Sequence, residues 1–278
     1  MERQKRIAII NDLTGFGRCS TAVIAPIVSA MKIQAVAIPT AILSTHLEFP
    51  KYYIDDYTDR MNDYIQVYKD LDLEFDGIAT GYLGSVQQVN IVIDFIEHFK
   101  KRDTFVLVDP VMGDHGILYD TVTTDMAKRM RDLICYGDIV TPNFTELTAL
   151  LGYEYSHDVP SFETLHDMCR ELSLLGPRYI VVTGLSIDDD HIMNFVYQKD
   201  DDSYQTIIVN RIGKDRCGTG DVISAVVAGA YLNGLDICKC VEKATSFASR
   251  CIAYCEKMNV PRHYGLCFEE YLCELGDM

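Results

Sequence analysis

Arg216-Cys217-Gly218-Thr219-Gly220-Asp221-Val222-Ile223-Ser224-Ala225 decides how the rest of the chain is read. Two glycines flanking one residue free the backbone to turn amide N–H groups toward a single point. The apolar run behind them predicts a helix over 221–233, whose N-terminus adds a partial positive charge at that point. Such a turn suits a phosphate or a phosphoryl group in transfer. Asp221 falls in the first helical turn, where its carboxylate can stand beside the anion and accept a hydroxyl proton. The same residue type there also serves as a plain helix cap. The chain contains no G-x-x-x-x-G-K-[ST], so this is not a Walker loop.

Outward from this turn, short apolar runs alternate with amphipathic segments. A second long helix follows over 237–257, and an antiparallel hairpin, 191–198 with 203–209, precedes the turn. Further upstream, strands are expected at 6–10, 34–39, 77–80, 104–108, 138–140 and 179–182. Helices are expected to begin at the caps Ser20 and Ser85 and to cover 123–133, 145–151 and 161–174, with 47–73 an excursion containing a helix. The stretch NDLTGFG after Ile10 reads as a turn. Strand–helix alternation of this kind predicts an α/β fold with a mostly parallel sheet covered on both faces, in a single domain over 1–278. Ligands bind such sheets beyond the carboxyl ends of the strands. Asn11-Asp12, Thr80–Ser85, Asp109–Asp114, Thr141–Glu146 and Thr183-Gly184 all gather there.

Composition narrows the partners. Lys and Arg number 25 against 41 Asp and Glu, leaving a formal charge of −16, which argues against nucleic acid or an anionic membrane surface as partner. The apolar run near the N-terminus, Ile7–Ile10, is too short for a signal-peptide core, and no stretch approaches the ~18 apolar residues of a membrane helix. A cytoplasmic location and reduced thiols are therefore expected for the ten cysteines. Their spacing completes no tetrahedral metal site.

Gly218–Asp221 opening a long helix resembles the signature of ribokinase-like kinases, and other segments narrow the likeness to the vitamin B6 kinases. DPVMGD at Asp109–Asp114 looks like their phosphate-and-metal loop, and TPNFTEL at Thr141–Leu147 resembles their TPN-x-x-E segment. GYLGS at Gly81–Ser85 and LSTHLEFP at Leu43–Pro50 resemble the segments around the pyridoxal ring. These pieces keep the family order over residues 6–257. The resemblance implies a ribokinase-like three-layer α/β/α sandwich that uses ATP and Mg²⁺, admits a monovalent cation (K⁺), and forms a homodimer.

It also implies roles. Asp221 is the base, with Gly218, Thr219 and Gly220 around the transferring phosphoryl. Asp109, Asn143, Thr183 and Lys214 lie toward ATP, with Arg216 a further cation upstream of the glycines. Asp114 and Glu146 organise the metal, since hard carboxylate oxygen suits Mg²⁺. Asp12, Thr45, His46 and Tyr82 meet the ring, Tyr82 by stacking. At Asn11/Asp12 the family often presents Ser, so the acid is a departure that favours a cationic amine or ring nitrogen. Asn143 and Thr183 also read as turn or cap residues, His46 as a structural histidine, and Cys217 as a packed loop residue. The reaction implied is phosphorylation of the hydroxymethyl group of pyridoxal, pyridoxamine or pyridoxine. The alternatives are a hydroxymethylpyrimidine or other small-molecule kinase, or a non-catalytic B6- or nucleotide-binding regulator.

Overall fold

The computed structural model describes residues 3–119 and 122–276. In chain order the elements are β1 (Arg6–Phe16), α1 (Thr21–Ala30), β2 (Gln34–Thr45), β3 (Ile54–Asp56), α2 (Thr58–Asp70), β4 (Gly77–Thr80), α3 (Val86–Phe99), β5 (Phe105–Val108), β6 (Gly113–Asp114) and β7 (Ile117–Leu118). They continue with α4 (Thr124–Ile134), β8 (Ile139–Val140), α5 (Phe144–Leu151), α6 (Phe162–Ser173), β9 (Tyr179–Ser186), β10 (His191–Gln198), β11 (Ser203–Asn210), α7 (Thr219–Leu232) and α8 (Ile237–Lys257). Two 3-10 segments, Arg262–Tyr264 and Phe268–Leu275, end the described chain.

Nine strands form one sheet in the order β11-β10-β9-β8-β5-β4-β1-β2-β3. From β9 across to β2 every neighbour is parallel, and the antiparallel pairs lie at the two sides. Strand β1 shows why the sheet is covered twice. Ala8 and Ile10 enter the core beneath α2–α6, whereas Ile7 and Ile9 enter the core beneath α1, α7 and α8. Helix α7 sits so deep in the second layer that Val222 through Ala230 are all buried, which explains an apolar run without a polar face. The expected three-layer α/β/α arrangement is thus observed. The chain leaves β1 for β2 on one side and returns to β4 on the other, creating a crevice between the ends of β1 and β4.

Two local expectations change, and one small element is new. NDLTGFG is no turn: β1 runs on to Phe16 beside a β2 extended to Thr45, with a register shift between Asn11 and Leu13. Asn11, Asp12 and Thr14 stay buried within the strand because each finds a polar partner there. Ser20 precedes α1 without capping it through its side chain, and its backbone stands at φ 57°, ψ −141°. The small β6–β7 hairpin has strands too short to be visible as a sequence pattern.

Candidate active site

A cavity of about 660 Å³ opens beyond the carboxyl ends of the central strands. Of the residues singled out from the sequence, Thr45 is the one missing from its walls among the described residues.

The anion turn is built by one demanding glycine and one permissive one. Gly218 has φ 78°, and a Cβ there would overlap the Arg18 carbonyl oxygen, so fold and conformation both require glycine. A Cβ on Gly220 would meet nothing within 4 Å, so the space before it is open cleft. No side chain caps α7; Gly218 is its N-cap, and the Thr219 hydroxyl turns back to the Arg216 carbonyl at 2.8 Å. The positive end of the helix therefore faces the cavity with no side chain closing it; only the Thr219 N–H turns back, to the Arg216 carbonyl at 3.4 Å.

Asp221 stands at that opening. It receives the Asn11 side-chain amide at 3.4 Å, and the Ser20 backbone N–H lies close enough to favour its charged form. Burial, with Asp109 and Asp12 nearby, raises its proton affinity from the ordinary 3.8 to about 7, against the opposing pull of those two donors. A carboxyl group titrating near neutrality suits a general base at physiological pH. Asp12, 5% exposed, accepts the Thr14 hydroxyl at 2.7 Å, and burial holds its carboxyl above the usual range.

A second acidic group lies across the cavity. Asp109, at the end of β5, accepts the Ser224 hydroxyl at 2.8 Å, and Ser224 contacts Thr141 at 3.1 Å. Burial pushes Asp109 up to about 6. Glu146 forms a capping box with Asn143: Glu146 N–H donates to Asn143 Oδ1, and Asn143 N–H donates to Glu146 Oε2, both at 2.9 Å. Its other oxygen accepts the Met112 N–H at 3.0 Å, tying the 109–114 loop to α5. Burial and nearby Asp109 hold Glu146 well above the ordinary carboxyl range despite those donors. Asp114 is exposed at the hairpin, one oxygen accepting the His115 N–H at 2.8 Å. Among the described residues no three His, Cys, Asp or Glu make a preformed cation cage. Repelling carboxyls beside an open cleft nevertheless fit a Mg²⁺ ion carried in by phosphate oxygens and water, the usual mode for that ion.

Several expectations are revised by partners. The Thr45 hydroxyl donates to the Lys51 carbonyl at 3.0 Å, away from the cavity. His46 reaches the cavity wall, but both ring nitrogens are engaged. Nδ1 accepts the Glu48 N–H at 3.3 Å, which places the proton on Nε2, 2.6 Å from the His263 carbonyl oxygen. His46 thus shapes the wall rather than offering a polar group to a ring. Asn143 lines the cavity as a helix cap, its side-chain amide donating to the Gly113 carbonyl at 2.7 Å. Arg216 is buried and holds Glu256 at 2.7 Å and the Val260 carbonyl at 3.0 Å, bracing the anion turn from behind instead of reaching a phosphate. Lys214 is exposed at the rim with no ion-pair partner among the described residues. The Cys217 thiol lies against Cys19, and that contact and burial push its pKa up, as suits a packed thiol. Tyr82 presents its ring to the cavity, its backbone N–H bound to Asn11 Oδ1 at 2.8 Å. Thr183 sits at the end of a bridge to Asn143. Sequence reasoning gave no site role to Ser20 or Ser224, whose ordinary residue types carry no signal until the strand ends converge.

The family profile described as phosphomethylpyrimidine kinase matches residues 28–266. The chain belongs to that family. A structure from Bacteroides thetaiotaomicron, named provisionally as a phosphomethylpyrimidine kinase and determined with pyridoxal, is 34% identical with a TM-score of 0.92, covering 99% of this chain and 96% of that one. Pyridoxal kinase from Lactobacillus plantarum is 25% identical with a TM-score of 0.89, covering 99% and 97%. Pyridoxal kinase of Arabidopsis thaliana is 29% identical over 179 residues, 61% of this chain and 55% of that protein. The chain spans between 34% and 56% of the length of the first curated relatives it matches. The family and its pyridoxal kinase neighbours make the fold ribokinase-like and place the chain in a family of small-molecule kinases. Among the described residues, no helix is long and apolar enough to cross a membrane.

Proposed function

We propose that the protein transfers the γ-phosphoryl of ATP to the 5′-hydroxymethyl group of a B6 vitamer, giving the 5′-phosphate. The observation that carries this reading is Asp221: a carboxyl group titrating near neutrality, set against an uncapped helix start at the cavity floor. An alcohol is a weak nucleophile, and Asp221 takes its proton as the new O–P bond forms and the bond to ADP breaks. The N–H groups of Gly218 and Gly220 face the equatorial oxygens of the migrating phosphoryl, already oriented before the reaction. Asp109, Thr183 and Lys214 line the side toward ATP, with Asn143 holding the loop there; Asp12 and Tyr82 flank the ring. Asp114 and Glu146 would hold Mg²⁺, which when bound neutralises phosphate charge. The B6 choice is supported by the pyridoxal held by the Bacteroides relative and by the pyridoxal kinases among the neighbours.

The second reading, hydroxymethylpyrimidine phosphorylation, is favoured by the family's description and by an Aquifex aeolicus relative of that name, 23% identical over 188 residues. One experiment separates them: ATP with pyridoxal, pyridoxamine, pyridoxine and hydroxymethylpyrimidine, measuring kcat/KM and the phosphorylated product. The B6 reading expects at least one vitamer to exceed the pyrimidine by tenfold or more. The reverse order overturns it. Absence of ADP release with all four marks a non-catalytic binder.

A further inference from the structure

Asn11 binds more of the site than a place within a strand requires. Its Oδ1 receives two backbone N–H groups, Asp12 at 2.9 Å and Tyr82 at 2.8 Å. Only the carbonyl end of an amide can accept two donors, so the side-chain orientation is fixed and Nδ2 must point at Asp221 Oδ1, 3.4 Å away. The arrangement bridges the crevice where β1 and β4 diverge. It also needs Gly81: a Cβ there would overlap the Asn11 amide. Ser20 approaches the same carboxylate from the other side. Its φ of 57° with ψ −141° is a sparsely populated conformation for a residue with a side chain, and its N–H lies close enough to the Asp221 carboxylate to favour the charged form.

The remaining ionisable neighbours of Asp221 push the opposite way. Asp109 comes from β5, Asp12 from β1 and Cys217 from the anion turn, while Lys214 stands out at the rim. Asn11 and Ser20 are thus the donors opposing a set of acids.

We propose that Asn11 is a positioning residue that, with the Ser20 N–H, holds the Asp221 carboxylate aimed and ionised, and that it links the Asp12 and Tyr82 walls of the pocket to the base. The catalytic part rests on the function proposed above; the effect on the carboxylate does not.

The test follows the Asp221 carboxyl directly, by NMR of protein labelled with ¹³Cγ-aspartate, the signal identified by its loss in Asp221→Asn. Asn11→Ala removes donor and acceptor. Asn11→Ser keeps a small polar side chain too short to reach Asp221 and adds no charge, and it carries the test if Asn11→Ala does not fold. Thr40→Val, which removes the 2.9 Å bond to the Tyr82 carbonyl, disturbs the same wall without touching Asp221. Either Asn11 variant should raise the titration midpoint by roughly half to one pH unit, the scale of one hydrogen bond to a charged form. The acid limb of kcat/KM should move with it while KM for ATP stays put, and Thr40→Val should move neither. An unmoved midpoint in the Asn11 variants, or an equal shift in Thr40→Val, overturns the proposal. If the wild type phosphorylates none of the alcohols, the function reading fails while the NMR shift still decides this one.

Discussion

Helices α5 and α7 both begin at a strand end on the cavity, and both place a carboxylate in their first turn. Their starts are finished in opposite ways. At α5, Asn143 caps the helix and Glu146 folds back on the Asn143 N–H, so the start is closed by its own side chains. At α7 the N-cap is Gly218, no side chain closes the turn, and Asp221 is held sideways by Asn11 and Ser20. The first start fixes a loop; the second leaves a positive helix end available for a ligand. An acid in a first helical turn therefore says little about function until its acceptor partners are known.

The comparison breaks most sharply at Asp221. Asp221→Asn should lower kcat by about 10²–10⁴, the usual range for losing a general base, while ATP binding persists. Substantial retained turnover would make Asp221 a mere cap. The two glycines come next. Gly218→Ala should lower Tm on the order of 5 °C or more, because a left-handed residue acquires a Cβ against the Arg18 backbone. Gly220→Ala should leave Tm unchanged and reduce kcat/KM for ATP about tenfold through obstruction of the anion site. Equal Tm losses would show that both glycines serve folding. Glu146→Gln should raise the Mg²⁺ concentration for half-maximal rate about tenfold, as changes around a metal's ligands do, with a modest loss of stability.

The pH dependence sharpens the same contrast. Activity should rise with pH through about 7, where Asp221 ionises. Stability runs the other way for this group: its folded pKa lies above the ordinary 3.8, so the folded state keeps a proton that the unfolded chain has released. The stabilisation present below about pH 4 is lost as pH climbs toward 7. Asp221→Asn should therefore raise Tm by a few degrees at about pH 8 and very little at about pH 4. The smallest effect is expected at the closed helix, where Asn143→Ala costs about 1 kcal/mol of cap stability. Urea unfolding measures it.

Legibility followed the range of the interactions. The alternation of Ile7-Ala8-Ile9-Ile10 with the helical run after Gly220 was readable because burial on two faces leaves a continuous apolar pattern. NDLTG misled because its polar residues look like turn formers in isolation, while β2 and the side chains around Asp221 supply partners within the strand. His46 and Arg216 belonged to the right region but were committed to the backbone of 260–263, a segment more than forty residues away in sequence from either.

The sequence by itself determined the layered α/β framework, the glycine turn and the acid behind it, since each depends on local periodicity or on backbone freedom at one residue. Only the tertiary structure decided which helix start is closed by its own side chains and which is left open at the cavity. That outcome depends on the Asn11 amide from β1, oriented by the Tyr82 N–H of the turn after β4, and on the start of α1, which meet at Asp221 only once the sheet has assembled.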